Sequence, residues 1–332
     1  MPRYEVRNLT RRFGKVTALD SVSFVAERGE FIVVLGPTGA GKTTLLRTIA
    51  GLEKPDAGQI LEDTRDITAA APAERDMAMV FQNFSLYPRL TVYDNLAFPL
   101  RPKWRQTPKE EIDRRVRWAA DLLGITQKLA QKPTTLSGGQ QQRVAIGRAI
   151  VREPRLFLFD EPLASLDAKL REQMAIEIHR MQRRLDVTML YVTHDQIEAM
   201  SLADRIVVLD HGKVLQIGTP DEIYSRPANP RVARMLGSPP INLFTADEAA
   251  ALGLPRAATV GVRPEHVRVS PAAGATNGNA AKVLVSEHLG PCTVLLLDIK
   301  GIQVRAVSGP NDEVKPGETV EAHMGAERAL VW

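Results

Sequence analysis

Short, largely apolar runs recur along the first two-thirds of the chain. The four clearest are FIVVL (31–35), LFLF (156–159), TMLYV (188–192) and RIVVL (205–209). Strands of a parallel sheet that is covered on both faces show such continuous runs instead of strict alternation. The pattern therefore predicts a buried, mostly parallel sheet.

Stretches with helical spacing separate these predicted strands. Thr107 as the cap, Pro108 at the first helical position and Gly124 after the last turn predict both ends of one helix. Its apolar positions are Ile112, Val116, Ala119 and Leu123. A second helix follows Asp167, with apolar positions at Leu170, Met174, Ile178, Met181 and Leu185. Strands that alternate with helices predict an α/β domain.

The pattern changes after a proline-rich stretch, which contains Pro227, Pro230, Pro239 and Pro240. Segments such as AKVLVSEHL and TVLLLDI are short, rich in β-formers and separated by glycine, proline and asparagine turns. The segment SPAAGATNGNA (270–280) has the composition of a flexible loop. We therefore predict an α/β domain over residues 1–236 and a small all-β, barrel-like domain over residues 237–332.

Composition and charge exclude several classes of protein. With 332 residues, 44% hydrophobic and 25% charged residues, the chain is typical of two-domain globular proteins and not of disordered or fibrous ones. No apolar stretch reaches the ~18 residues of a membrane span, and the N-terminus lacks a signal-peptide core. The single Cys292 excludes a disulfide framework and fits a reducing cytoplasm. A net charge of +4 and 5% aromatic residues give no indication of nucleic-acid binding.

A glycine-rich loop follows the first apolar run. Gly36, Gly41, Lys42 and Thr43 match G-x-x-x-x-G-K-[ST] between a predicted strand and a predicted helix. The backbone N–H groups of such a loop converge on phosphate, helped by the partial positive charge at the helix start. Lys42 would reach the β- and γ-phosphates, and Thr43 would bind Mg²⁺. The nucleotide-binding candidates here are Gly36, Pro37, Thr38, Gly39, Ala40, Gly41, Lys42, Thr43 and Thr44.

Two carboxylates follow the second apolar run. Asp160 at the strand end suits a Mg²⁺-bound water, and Glu161 is placed to orient or deprotonate an attacking water. Taken alone, the pair is equally typical of a solvated junction between a strand and a loop. It becomes a specific signal because a phosphate loop precedes it in the same domain.

A second glycine-containing motif, LSGGQQQR, spans residues 136–143. Ser137 stands three residues before Gln140, which is the spacing of a capping box. The simplest interpretation is a capped helix with Gly138 and Gly139 in its entry turn. A helix N-terminus with a serine and two bare backbone positions is also an anion site. The residues of this motif alone leave both interpretations open.

The phosphate loop, LFLFDEP and LSGGQ together resemble the ATP-binding-cassette (ABC) ATPases. The resemblance implies an α/β P-loop NTPase domain with a helical subdomain at about residues 84–152, followed by a small all-β, OB-like domain. It also implies ATP and Mg²⁺ as ligands, with Thr43, Gln82 and Asp160 at the metal and Glu161 as the general base.

Four further residues match the motifs of this family. Gln82 in MVFQNF resembles the catalytic Q-loop glutamine, His194 in YVTHDQ the switch histidine at the γ-phosphate, and Asp167 in LASLDAK the D-loop aspartate. Phe13 in RRFGKV resembles the aromatic ring that stacks on adenine. Two simpler alternatives are that Phe13 is a core residue and that His194 is a hydrogen-bonded histidine at a strand end.

The segments EPLASLDAKLR and GSPPINLF resemble the ATPases of maltose and sn-glycerol-3-phosphate type importers. GVRPEHV (261–267) resembles the start of their regulatory β-domain, although locally it is equally typical of an Arg263–Glu265 surface pair. The importer resemblance implies cargo such as a carbohydrate, a polyol or glycerol phosphate. It also implies a peripheral position on the cytoplasmic face of the cell membrane.

The same resemblance implies three kinds of partner. The first is a second ABC ATPase, identical or homologous, whose bound γ-phosphate would be contacted by residues 137–140. The second is a pair of transmembrane permease subunits that contact roughly Asn83 to Val92. The third is an extracytoplasmic solute-binding protein, which acts indirectly; no nucleic acid is expected.

Alternatives of other classes stay open at this point. One is an ABC importer ATPase for a polyamine, sulfate or metal; another is a non-transport ABC ATPase that acts on nucleic acid, against which the single cysteine and single cassette argue.

A basic run is typical of a solvated helix face or of a surface that meets anionic lipid. It contains Arg101, Lys103, Arg105, Lys109, Arg114, Arg115 and Arg117.

Overall fold

The computed structural model describes residues 2–102, 105–271, 279–310 and 314–332. These residues form two compact units, residues 1–220 and residues 221–332. Residues 221–236, which the sequence-based boundary assigns to the first domain, belong to the second unit. The loop expected at 270–280 has its central residues, 272–278, outside the described residues.

Ten strands of the first unit form two sheets. In chain order they are β1 (Tyr4–Phe13), β2 (Val16–Ala26), β3 (Phe31–Leu35), β4 (Ala57–Glu62), β5 (Arg65–Asp66), β6 (Met77–Val80), β7 (Leu156–Asp160), β8 (Thr188–Thr193), β9 (Arg205–Asp210) and β10 (Lys213–Gly218). An antiparallel sheet has the order β2-β1-β4-β5, and the central sheet has the order β10-β9-β3-β8-β7-β6. In the central sheet only β10 is antiparallel to its neighbour.

The four predicted strands are confirmed as β3, β7, β8 and β9. Every residue of β3, β7 and β8 is buried, as continuous apolar runs require of strands covered on both faces. Val192 of β8 pairs with Val34 of β3 and with Asp160 of β7, and Val80 of β6 pairs with Phe159. The loops after β3, β7, β8 and β9 therefore leave the sheet at one edge, where ligands of α/β sheets bind.

Six helices accompany these sheets in the described part of the first unit. They are α1 (Lys42–Ile49), α2 (Val92–Ala97), α3 (Lys109–Leu122), α4 (Gly138–Ile150), α5 (Ala168–Leu185) and α6 (Gln196–Leu202). Helix α3 begins one residue later than predicted, because Pro108 keeps an extended ψ of 150°. None of the described helices combines the length and apolarity that a bilayer crossing demands.

The basic run is largely neutralised where the structure describes it. On α3, Arg114 and Arg115 pair with Glu111 at 2.7 and 2.5 Å, and Arg117 pairs with Asp113 at 2.7 Å. Such i,i+3 and i,i+4 pairs are typical of a solvated helix face. The contacts favour that alternative over a lipid-facing surface; Lys103 of the run lies outside the described residues.

The second unit carries eight described strands, all antiparallel. They are β11 (Asn242–Thr245), β12 (Thr259–Val262), β13 (Val267–Pro271), β14 (Asn279–His288), β15 (Thr293–Ile299), β16 (Ile302–Ser308), β17 (Thr319–Met324) and β18 (Leu330–Val331). They form sheets of order β11-β12-β18 and β13-β17-β14-β15-β16 around one apolar core. The helices are α7 (Pro220–Ser225), α8 (Pro230–Arg234) and α9 (Ala246–Ala251). The sheets agree with the expected small all-β, OB-like domain.

The interpretation of GVRPEHV as a surface Arg263–Glu265 pair is wrong. Arg263 is buried, donates to the backbone oxygens of Leu236 and Tyr224 at 2.7 and 2.6 Å, and lies 3.5 Å from the centre of the Tyr224 ring. Burial lowers the pKa of the Arg263 guanidinium. This arginine therefore ties residues 224 and 236 to the strands of the second unit, a long-range role without a local sequence signal.

Candidate nucleotide-binding site

The phosphate loop depends on glycine at its two ends. A Cβ atom on Gly36 would lie 2.1 Å from the Leu209 carbonyl oxygen, and one on Gly41 would lie 2.3 Å from the Ala18 carbonyl oxygen. Gly41 also has a φ of +102°, a backbone conformation that residues other than glycine disfavour. Between them, residues 37–39 are exposed at the start of α1. The loop thus presents bare backbone to solvent next to a helix N-terminus, which is a suitable cradle for phosphate.

Lys42 is the buried cation of this loop. Its side chain is only 4% exposed, and its Nζ donates to the backbone oxygens of Gly36 and Pro37 at 3.0 and 3.1 Å. The same Nζ lies 3.1 Å from Oε1 of Glu161. Lys42 therefore joins the phosphate loop directly to the carboxylate that the sequence assigns to water activation.

Thr43 and Asp160 form the oxygen pair that the sequence assigns to Mg²⁺. The Thr43 hydroxyl donates to Oδ1 of Asp160 at 2.8 Å. Asp160 is buried, and this burial raises the pKa of its carboxyl group above the ordinary value. No cluster of three or more metal-ligating side chains occurs among the described residues. One carboxylate and one hydroxyl fit Mg²⁺, which usually takes one or two carboxylates together with substrate phosphates.

Glu161 occupies a left-handed backbone position, with a φ of 45°. Its N–H donates to the Val192 carbonyl at 3.0 Å, which ties the residue after β7 to the neighbouring strand β8. Its side chain meets Lys42 on one oxygen and Nδ1 of His194, at 2.9 Å, on the other. A non-glycine residue in this conformation costs about 1–2 kcal/mol, and such strain clusters at functional sites.

His194 is half exposed on the loop after β8. Its ring contact with Glu161 brings the switch-histidine candidate and the general-base candidate together. The contact is compatible with both interpretations of His194, the hydrogen-bonded histidine at a strand end and the switch histidine, so the switch role stays a prediction. Direct contacts thus form two groups of predicted residues within one chain: Lys42, Glu161 and His194 form one, and Thr43 and Asp160 form the other.

Gln82 lies in the turn that follows β6, beside β7, and is exposed. Thr44 is half-buried in the first turn of α1, and Ala40 is buried in the loop that precedes this helix. Gln82 therefore lies at the same edge of the sheet as Asp160. The described residues show no hydrogen bond between these two side chains. Its catalytic and metal-binding roles stay predictions.

Phe13 is not a core residue. It ends β1, pairs with Val16 across the hairpin, and exposes 43% of its surface. The Arg11 guanidinium lies over one face of the ring, 4.5 Å from its centre. The core alternative is therefore wrong, because the ring is available on the surface, as stacking on a base requires.

The LSGGQ residues lie at the start of α4. The backbone N–H of Ser137 donates to Oε1 of Gln140 at 3.2 Å, as in one half of a capping box. Ser137 and Gly138 are exposed, while Gly139 packs so closely on Leu170 that a Cβ atom there would lie 2.9 Å from a side-chain carbon. Among the described residues, no hydrogen bond or ion pair joins residues 137–140 to the phosphate loop.

Asp167 has a clear structural role. It caps α5, with Oδ1 accepting from the N–H of Leu170 at 2.9 Å. It is exposed, at the end of the segment that follows Glu161. Helix capping and the predicted D-loop role are compatible, since a cap fixes the direction in which the preceding backbone leaves the helix.

Two polar residues that shape the expected permease-contact segment were missed by the sequence analysis. Buried Asn95 accepts from the N–H of Tyr87 at 2.8 Å and donates to its carbonyl at 3.1 Å. Arg148 donates to the carbonyls of Phe84 and Ser85 at 3.0 and 2.6 Å. The bonds of Arg148 join residues far apart in sequence, and those of Asn95 depend on backbone geometry. No sequence motif therefore reveals either role.

The resulting surface is partly apolar. Tyr87 is 40% exposed and its ring lies 4.4 Å from that of Phe98, which is also exposed. Phe84, Leu86 and Leu90 are half-buried. Phe84 and Ser85 have consecutive positive φ angles of 60° and 48°. Arg148 thus holds an unusual backbone turn beside an exposed aromatic pair.

Fold and site together define a P-loop nucleotide-binding protein, and comparisons with known proteins narrow the class. A family model described as ABC transporter matches residues 19–164. A model described as TOBE domain matches residues 260–332. Both matches fall within the unit that the sequence analysis assigned to the corresponding domain.

Relatives extend the similarity over most of the chain. The chain is 48% identical to an uncharacterized ABC transporter ATP-binding protein of Sinorhizobium fredii, over 95% of this chain and 88% of that protein. It is 53% identical to the sn-glycerol-3-phosphate import ATP-binding protein of Brucella abortus biovar 1, over 81% of this chain and 78% of that protein. It is 55% identical to the trehalose/maltose import ATP-binding protein of Thermococcus litoralis, over 70% of this chain and 64% of that protein.

Solved structures agree with these matches. A nucleotide-free ATP-binding cassette from an ABC transporter has a TM-score of 0.63 and 26% identity, over 71% of this chain and 98% of that one. The cbiO1 protein of Clostridium perfringens, part of the ABC transporter complex cbiONQ, has a TM-score of 0.62 and 29% identity, over 70% of this chain and 94% of that one. The chain therefore belongs to the ABC transporter family and is an ATP-binding-cassette ATPase.

Proposed function

We propose that this chain is the ATP-hydrolysing subunit of an importer that takes up a carbohydrate, a polyol or a glycerol-phosphate-like solute. The observation that carries the proposal is the contact of Glu161 with both Lys42 and His194, at 3.1 and 2.9 Å. A carboxylate held between a phosphate-loop lysine and a histidine suits the activation of a water that attacks a γ-phosphate.

Each residue has one task in the proposed reaction. Glu161 orients the attacking water and accepts its proton, and Lys42 neutralises charge on the β- and γ-phosphate oxygens. His194 would contact the γ-phosphate from the loop after β8 while its ring also holds Glu161. Gln82 would help to position the water at the same edge of the sheet. Preorganised groups of this kind stabilise the transition state more than the ground state.

Thr43 and Asp160 would hold Mg²⁺, with Gln82 as a third candidate. The proposal rests on the 2.8 Å contact between the Thr43 hydroxyl and the Asp160 carboxylate. When bound, the ion neutralises phosphate charge during transfer. Burial raises the pKa of the Asp160 carboxyl group, and a cation bound beside it would favour the ionised form that ligates metal.

A second ATPase subunit, identical or homologous, would complete the site. Ser137 and Gly138 are exposed at the start of α4, and no described contact joins them to the phosphate loop of the same chain. An exposed helix N-terminus with bare backbone suits an anion that is supplied by another molecule. Residues 137–140 would therefore contact the γ-phosphate held by the partner subunit, and Asp167 would lie at the interface.

Two transmembrane permease subunits would dock at residues 83–92. Support comes from the exposed Tyr87–Phe98 ring pair and from the backbone turn that Arg148 holds. With the permease docked there, the chain would lie at the cytoplasmic face of the membrane as a peripheral subunit, and a solute-binding protein would act on the other side.

The cargo class follows from two relatives whose names specify import of sn-glycerol-3-phosphate and of trehalose or maltose. A test is uptake of these three radiolabelled solutes by cells whose chromosomal copy carries Glu161→Gln. We expect uptake of at least one solute to fall to background, while Arg183→Ala, a matched change of an exposed ion pair, leaves it at the wild-type level. Normal uptake of all three in the Glu161→Gln cells would contradict this cargo class and favour polyamine, sulfate or metal import.

A further inference from the structure

One arginine outside the recognised motifs contacts two catalytic segments at once. Arg171 lies in the first turn of α5, directly after the segment that carries Asp167. Its Nη2 donates to the Leu166 carbonyl at 3.0 Å. Its Nη1 donates to Oδ2 of Asp195, the residue after His194, at 3.3 Å. A single guanidinium thereby spans the loop after β7 and the loop after β8.

The Asp195 end of this contact is itself fixed. Asp195 caps α6 with its other oxygen, which accepts from the N–H of Ile197 at 2.7 Å. Its own N–H donates to the Thr193 hydroxyl at 3.0 Å. The backbone on both sides of His194 is therefore held, and Arg171 supplies the link from there to α5.

The buried carboxyl group of Glu198 lies beside Arg171 and Thr193. Glu198 is 6% exposed, and its Oε2 accepts from the hydroxyls of Tyr191 and Thr193 at 2.9 and 2.7 Å. Its other oxygen lies 4.0 Å from Nε of Arg171. Nε of Arg171 is buried without a hydrogen-bond partner among the described residues, so the guanidinium is held mainly by its two Nη contacts.

We propose that Arg171 is a positioning residue for ATP hydrolysis, since its guanidinium holds the Asp167 segment and the His194 segment in one fixed arrangement. The inference rests on the proposed roles of Glu161 and His194. Because His194 contacts Glu161 at 2.9 Å, a displaced His194 loop also releases the carboxylate that activates water. The fork of an arginine serves two acceptors in fixed directions, which the single ammonium of a lysine does not reproduce.

The loss of Arg171 should therefore appear in the rate of hydrolysis and not in the binding of ATP. Phe13, Lys42 and the phosphate loop make no described contact with Arg171, so they keep their geometry. Displacement of a catalytic group by about 1 Å lowers a rate by up to about 100-fold. We expect Arg171→Ala to lower kcat about 10- to 100-fold with KM for ATP within about threefold of wild type.

The experiment measures steady-state ATP hydrolysis and thermal unfolding of the full chain for Arg171→Ala, Arg171→Lys and the control Arg183→Ala. Arg183 lies in the last turn of the same helix and pairs with Asp204 at 2.5 Å. Its replacement by alanine therefore removes an equivalent ion pair at a position away from the site. We expect Arg171→Lys to recover part of kcat and Arg183→Ala to match wild type. A wild-type kcat in Arg171→Ala would overturn the inference, whereas an inactive wild-type protein would overturn the proposed function instead.

A second variant tests the link from its other end. Asp195→Asn keeps an oxygen that can cap α6 but removes the charge that faces Arg171. We expect this change to lower kcat, and we expect the double variant with Arg171→Ala to lose no more than Arg171→Ala alone, because both changes break one link. Fully multiplicative losses would show that the two residues act independently and would contradict the proposal. If Arg171→Ala does not fold, a wild-type kcat in Asp195→Asn overturns the proposal by itself.

Discussion

The phosphate-loop region and the LSGGQ region of this ATPase are organised in opposite ways. Around the phosphate loop, charged groups are satisfied within the chain, since Lys42 meets Glu161 and Thr43 meets Asp160. At the start of α4, Ser137 and Gly138 face solvent, and the described hydrogen bonds of Ser137 go only to Gln140 and Gln141. The first region carries the groups that we propose for water activation, and the second exposes a helix N-terminus that no described contact joins to the phosphate loop of the same chain.

This difference teaches that a complete set of motifs in one chain need not form one complete site. A helix N-terminus binds an anion through its backbone N–H groups only when the anion is brought to it. The contacts of the phosphate-loop region support the binding and activation half of the chemistry. The exposure of residues 137–140 supports the proposal that closure of the site takes place against a second subunit.

The largest expected effect comes from breaking the phosphate-loop region at Glu161. Glu161→Gln keeps the shape of the side chain and an oxygen for Lys42, but it removes the negative charge and the proton acceptor. We expect kcat to fall about 10²–10⁴-fold with ATP affinity unchanged, because loss of a general base has this magnitude. Hydrolysis and calorimetry of the variant beside Glu172→Gln, an exposed carboxylate change on α5, measure both quantities. Hydrolysis by Glu161→Gln within about tenfold of wild type would rule out the base assignment.

A smaller effect is expected at the edge of the same region, at Phe13. Stacking of a base on an aromatic ring contributes about 1–3 kcal/mol, so Phe13→Ala should raise the ATP dissociation constant about 5- to 150-fold. The maximal rate should stay near wild type, because stacking acts on the ground state and the transition state alike. Phe13→Trp should retain binding.

The control for this prediction is Val16→Ala, which removes exposed apolar surface from the cross-strand partner of Phe13 and keeps the Phe13 ring. Nucleotide titration of the three variants separates a stacking effect from a general loosening of the hairpin. Equal affinities for wild type and Phe13→Ala would show that the exposed ring serves another purpose.

Four strands of the central sheet, β3, β7, β8 and β9, were predictable because they are buried almost throughout. Residues such as Val33 and Leu158 show full burial within continuous apolar runs, a signal that does not depend on distant contacts. The phosphate loop was equally predictable, because Gly36, Gly41, Lys42 and Thr43 form one short motif between a strand and a helix. The contact of Glu161 with His194 had no local signal; the assignment of Glu161 to the attacking water and of His194 to the γ-phosphate indicated only that the two residues lie near each other.

Other features had no local signal. The exposure of Phe13 depends on its place at the end of β1, and a phenylalanine in a core has the same sequence appearance. Arg148 bonds to backbone 63 and 64 residues earlier, and Arg171 bonds to a carboxylate 24 residues later. The burial of Arg263 had no local signal, because its acceptors, the carbonyls of Leu236 and Tyr224, lie far upstream. Such contacts are fixed by tertiary structure, so one sequence does not reveal them.

The central claim is that Ser137 works across an interface between two ATPase subunits. A helix cap alone contributes about 0.5–2 kcal/mol of stability, and its loss would leave association intact. An arginine at position 137 would instead block closure against the partner, while the phosphate loop of the variant would still bind ATP. The control is Ser201→Arg, which places the same bulk on an exposed position of α6.

The most direct measurement is light scattering of the purified chain with ATP in the Glu161→Gln background, where slow hydrolysis keeps a closed assembly from dissociating. We predict ATP-dependent dimers for Glu161→Gln and for Glu161→Gln with Ser201→Arg, and monomers for Glu161→Gln with Ser137→Arg, at matched thermal stability and ATP affinity. ATP-dependent dimers of equal strength in the Ser137→Arg protein would contradict the claim and would leave Ser137 as a helix cap only.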